Sequence, residues 1–207
     1  MINRRKAGCI FILLLLMAVV AGCGPSFTEA LKKEEAIPSG TVLAVGRIVL
    51  EPSLETTGKK KVDAEPQEIQ VGLTFDLSEK IKEGAMYSAN EAISPIVGET
   101  FFFPLPQGTR YIRSGQVMKV VGHHINGPSA GMPIYEVVRM YKNVKLEIPG
   151  KAQVVYIGTI VYYHDGKRAT SVSVRDEYEK AVRELAKMKI AGIKGNAMVK
   201  KLAVVVK

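Results

Sequence analysis

Gly127-Pro128-Ser129-Ala130-Gly131 is the stretch of this 207-residue chain whose spacing points most directly to covalent chemistry. It satisfies Gly-x-Ser-x-Gly, the pattern of a sharp strand-to-helix turn that exposes a serine hydroxyl as a nucleophile. The flanks oppose that use. A helix should follow the serine, yet Gly131 and Pro133 interrupt its first turn. The candidate metal ligands are the three histidines, His123, His124 and His164. Adjacent residues on a strand point to opposite faces, so His123 and His124 do not readily share an ion. One of them with His164 and Asp165 would need a fold that brought them together. Zinc takes three or four ligands at recognisable spacing, so the reading is no metal and no cofactor. Tyr156, Tyr162 and Tyr163 could form a ligand platform. Tyrosines in an apolar strand more often pack the sheet with the hydroxyl at the rim.

The start of the chain carries a different chemistry. Arg4, Arg5 and Lys6 form a basic head, an apolar run covers 10–20 with leucines at 13–16, and Val20-Ala21-Gly22-Cys23 follows. The run is shorter than the roughly 18–20 residues a permanent membrane helix needs, and small residues before a cleavage point suit an export signal. Val-Ala-Gly-Cys resembles the lipobox of bacterial type II signal peptides. The resemblance implies a diacylglyceryl thioether on Cys23, cleavage after Gly22, and acylation of the new amino group. It implies a cell-envelope location through a lipid anchor in the membrane. Gly24, where an aspartate would favour inner-membrane retention, points to the outer membrane facing the periplasm if the cell has two membranes.

Gly-Pro-Ser-Ala-Gly also resembles the surroundings of the catalytic serine in the Lon protease family, which would make Ser129 the nucleophile. The chain departs from that family on both sides. His124-Ile125-Asn126 stands where the family has Pro-Lys-Asp, and His164-Asp165-Gly166-Lys167-Arg168 does not match its downstream lysine site. Lon proteins are also intracellular, which conflicts with an export signal. A non-catalytic role is therefore preferred; a serine hydrolase using Ser129 and a periplasmic ligand- or metal-binding protein are the alternatives.

Of the two cysteines, Cys9 leaves with the signal and Cys23 is consumed by lipid. The mature domain must then hold together through its core, without a disulfide. Residues 23–207 number 185, enough for one domain with a substantial core. Loss of Arg4, Arg5 and Lys6 takes the formal charge from +9 to +6. A basic envelope protein is drawn to lipid headgroups, anionic envelope polymers or other envelope proteins; nucleic acid is not expected there.

These residues must be positioned by a mainly β chain. Residues 23–40 read as a lipidated tether, with two helical turns over 28–36 stopped by Pro38-Ser39-Gly40. The domain then spans 41–207. Strands are expected over 41–50, at 69–75 from the alternation of Ile69, Val71, Leu73 and Phe75, and at 100–104, 111–123 and 144–148. Residues 55–68, with Lys59-Lys60-Lys61, read as an exposed loop, and 76–98 as a long connection with a short helix. Residues 153–163 are apolar on both faces, so this strand belongs at the centre of a sheet covered on both sides. Asp165-Gly166 marks a hairpin turn into 168–174. A helix capped by Asp176 carries Tyr178, Ala181, Val182 and Leu185 on one face and ends near Gly192 and Gly195; a last strand covers 202–206.

Seven or eight strands with one late amphipathic helix predict a β-sandwich, with a two-layer α+β domain as the alternative. Two turns, Pro104-Leu105-Pro106-Gln107-Gly108-Thr109-Arg110-Tyr111 and Ile148-Pro149-Gly150-Lys151, resemble the Leu-Pro-Pro-Gly-x-Tyr turns of prealbumin-like and carboxypeptidase-regulatory-like sandwich modules. That resemblance implies a module that binds or spaces.

Overall fold

The computed structural model describes residues 26–54, 69–74, 91–123, 125–129, 131–193 and 197–206. The expected export signal with Cys23, the expected loop over 55–68, Phe75, residues 76–90 of the expected connection, His124 and Gly195 lie outside the described residues. In order, the elements are β1 (Ser26–Phe27), β2 (Thr41–Glu51), β3 (Ile69–Thr74), β4 (Glu91–Ile93), β5 (Thr100–Pro106), β6 (Gly108–His123), β7 (Pro133–Arg139) and β8 (Val144–Ile148). After them come β9 (Val154–His164), β10 (Ala169–Arg175), α1 (Tyr178–Met188), β11 (Met198–Lys200) and β12 (Val204–Val205).

The strands form two sheets. One runs β1-β4-β3-β6-β8-β12 with β7 also on β6, and the other runs β10-β9-β2-β5 with β11 also on β9. They pack face to face through Val71, Leu73, Ile112 and Leu146 on one side and Ile48, Phe103, Ile160 and Tyr162 on the other. The molecule is a mainly β sandwich, with one helix among the described residues. Its described strands outnumber the seven or eight expected, because β1, β4, β11 and β12 are only two or three residues long.

Parity explains why β9 is apolar throughout. Val155, Ile157, Ile160 and Tyr162 face the other sheet, while Val154 and Tyr156 face outward into a second core under α1. Two inward residues, 157 and 160, stand three apart because Gly158 adds a bulge: Val45 pairs with Tyr156, but Gly46 pairs with Gly158. Gly158 has φ +99°, and a Cβ there would lie 2.6 Å from Val174 Cγ1. Helix α1 closes the second core with Ala181 and Leu185, against Leu43, Val45 and Phe102. It starts one residue later than the sequence suggested: Glu177 is the N-cap residue, and Asp176 Oδ1 accepts the Tyr178 N–H at 3.1 Å. It ends at Lys189, in left-handed conformation, short of Gly192.

Both chain ends depart from expectation. Residues 28–36 form no helix. Instead β1 pairs with β4, Leu31 is buried, and the Leu31 N–H donates to Phe102 O at 2.8 Å. The Glu34 N–H then donates to Met188 O at 2.9 Å, satisfying a carbonyl at the end of α1. So residues expected as a spacer belong to the domain. At the other end, 202–206 is not one strand: β11 lies on β9, the Ala203 N–H donates to Ile157 O, and β12 joins β8 in the opposite sheet.

The two similar turns do the same work. Gln107 joins β5 to β6 and 149–153 joins β8 to β9, each carrying the chain between sheets. They touch, since the Gln107 side chain lies where a Cβ on Gly150 would sit.

Candidate functional site

Ser129 sits in the loop joining β6 to β7, two antiparallel strands. Its carbonyl accepts the Met132 N–H at 2.9 Å, and Gly127 and Gly131 both adopt φ +85°. The element that follows is a strand beginning at Pro133, so there is no helix N-terminus aimed at the hydroxyl. Among the described residues no histidine, lysine or carboxylate hydrogen-bonds that hydroxyl.

The two described histidines stand on different strands. His123 ends β6 opposite Pro133, whereas His164 ends β9 at the hairpin into β10. The His164 ring is used on both sides: Nδ1 accepts the Gly166 N–H at 3.0 Å, and Nε2 donates to Pro52 O at 2.6 Å. Asp165 is similarly occupied, accepting the Lys167 and Arg168 N–H groups, and those bonds hold its carboxyl below the usual range. Among the described residues no three His, Cys, Asp or Glu side chains converge on one point.

The tyrosines separate as well. Tyr162 faces the core between the sheets, where burial pushes its hydroxyl pKa up. Tyr156 faces α1, and its hydroxyl accepts the Glu177 N–H at 2.6 Å; burial raises it too. Tyr163 lies toward solvent and accepts from Arg175 Nη2 at 2.9 Å; hydrogen bonds from Ser173 and Arg175 lower its pKa. Arg175 also grips Glu51 with both nitrogens, at 2.8 and 2.9 Å, so the group ties β2, β9 and β10 together.

Sequence reasoning missed a polar cluster at the start of α1. Glu177 Oε2 accepts from Arg47 Nη2 and from Thr159 Oγ1, both at 2.6 Å. Thr159 is buried, and a third of the Glu177 side chain is exposed. The signal was Arg47 itself, a lone cation within the apolar TVLAVGRIVL. The recess beside it holds about 10 Å³, room for one water at most. The cluster therefore closes the helix onto the sheet and leaves no space for a substrate. A second buried pair, Arg110 Nε to Glu91 Oε2 at 3.3 Å, joins β6 and β4 near the chain's entry.

A larger hollow lies where the described chain begins. About 390 Å³ lies between Phe27, Leu31, Ser94 and Phe103, in the range of small-ligand sites but open to solvent. Phe27 is 60% exposed beside it. No protein-family model, curated protein or solved structure matches this chain.

Proposed function

We propose that this chain is a lipid-anchored protein of the bacterial envelope, in which the β-sandwich has a structural or partner-binding role and Ser129 does no catalysis. The observation that carries the reading is how close to Cys23 the sandwich is already formed. Ser26 already pairs with Glu91 in the first sheet, only three positions after Cys23. Cleavage before Cys23 would thus leave every described strand intact. Three residues span at most about 11 Å, so the anchor would hold Phe27 and its hollow against the headgroups. No helix among the described residues is long and apolar enough to cross a membrane, and the anchor supplies the membrane attachment. A mature charge of +6 favours anionic headgroups and acidic envelope polymers at this surface.

The test is metabolic labelling with an alkyne palmitate analogue. Wild type should take the label and Cys23→Ser should not. Equal labelling of the two would overturn the assignment.

A further inference from the structure

Among the described residues the hairpin of β6 and β7 projects past the other strands of its sheet. β3 follows β6 only as far as Val117, and β8 only to Ile112, while β7 continues alongside it to His123. The projecting part is apolar and exposed: Ile125 is 88% exposed, and Met132, Tyr135, Met118 and Ile134 are 40–58% exposed. Met118 pairs with Val137, and Tyr135 lies two residues along the same face.

Among the described residues the outer edge of β7 is open beyond Arg139. The Arg139 N–H donates away from β6, to Lys167 O at 3.0 Å. Backbone groups alternate with a period of two, so Val137 and Tyr135 present their N–H and C=O to that same edge. Beyond the single bridge of Arg139 to Arg168, no described strand pairs there. An exposed apolar edge of this kind is a template for another strand.

We propose that the β7 edge receives an extended apolar segment of a partner protein, added as a strand, with an acidic residue at its end beside Arg139. Three observations select this occupant. The foot of the edge keeps a net positive charge, since Arg139, Lys167 and Arg168 are all exposed and joined through their backbones, against the one carboxylate of Asp165 beside Arg168. A second copy fits poorly: the antiparallel register that uses Val137 and Tyr135 of both chains puts Glu136 opposite Glu136, and like charges directly opposite are unfavourable. The anchoring bilayer is at the other end. Ser26 is level, through Glu91 and Leu73, with Ile112. From there to His123 is roughly 35 Å of strand, so a lipid on Cys23 stays at least about 25 Å from the tip. This last point rests on the anchored reading; the first two do not.

The experiment places the photoreactive residue p-benzoylphenylalanine at Tyr135, at Val137, and at exposed Thr170 as control, in the full chain in its own cells. The expected result is one protein adduct from positions 135 and 137 and none from 170. The captured peptide should be a run of alternating apolar residues with Asp or Glu at the end nearer Arg139. Arg139→Glu should lower the adduct yield about two- to fivefold, as loss of one exposed charge pairing predicts. Adducts on phospholipid, on a second copy, on a helical or basic segment, or no adduct at all would each overturn the proposal. Palmitate labelling of the same cells reports the anchor separately, so an unlabelled chain that still captures its partner sinks only the anchored reading.

Discussion

At the scale of single residues, Glu177 is the most informative. It stands where helices favour a capping side chain, yet its carboxylate is turned to Arg47 and Thr159 instead. Removing it leaves Arg47 and a buried hydroxyl facing each other without their anion. Glu177→Ala should cost about 1–3 kcal/mol in chemical denaturation, at the lower end because the carboxylate is partly hydrated. Arg47 Nε is buried with no hydrogen-bond partner among the described residues, so this pair is imperfectly satisfied. The double variant Arg47→Met, Glu177→Gln should therefore recover much of the loss; a fully additive loss would show that the two groups do not act as a pair. Ser129→Ala, by contrast, changes a half-buried loop residue. It should shift stability by no more than about 0.5 kcal/mol, and wild type should not react with a fluorophosphonate probe. Probe labelling that disappears in Ser129→Ala would revive the hydrolase alternative.

At the scale of elements, α1 and the β9 bulge carry the outer core. Leu185 is buried beneath α1, and Glu184 beside it reaches outward to Lys187 at 2.8 Å. Leu185→Ala should cost roughly 2–5 kcal/mol and Glu184→Ala little; equal small effects would mean that α1 does not depend on its docking. Gly158 has no room for a Cβ and a φ that other residues avoid. Gly158→Ala should lower the melting temperature, whereas Gly166→Ala, strained in φ but open around it, should lower it less. The C-terminal crossing adds an electrostatic clasp. Glu147 on β8 meets both Lys145 and Lys201, and these hold its carboxyl at about 2 against an ordinary 4.5. A depressed folded-state pKa contributes stability above the unfolded value and loses it as pH falls through the folded one. The melting-temperature advantage of wild type over Glu147→Gln should thus be complete above pH 4.5 and vanish near pH 2. An advantage that did not change with pH would refute the clasp.

At the scale of the whole molecule, legibility followed the source of each pattern. β3 was readable because Ile69, Val71 and Leu73, spaced two apart, all enter the core between the sheets. β9 was readable because it is covered twice, and Asp165-Gly166 because the turn is local chemistry. β7 was missed: Ile134, Tyr135 and Glu136 are exposed in succession, so PIYEVVR has no burial period to read. TEALKKEEA has helix-favouring residues, and its real conformation comes from Ala92, Phe102 and Met188, distant partners that no local window contains. The tail was misread as one strand because β propensity does not say which of two sheets a residue joins. For the site, Arg47 was visible as an anomaly, but its partner lies 130 positions away. The separation matters in time as well as space. Leu43 pairs with Val154, 111 positions later, and β9 in turn awaits β11 near the end of the chain. Contacts this distant in sequence form slowly, and none of them exists until most of the polypeptide has been synthesised. An exported chain, which the anchored reading requires, would gain from that order: the sandwich cannot close while its last quarter is still on the ribosome.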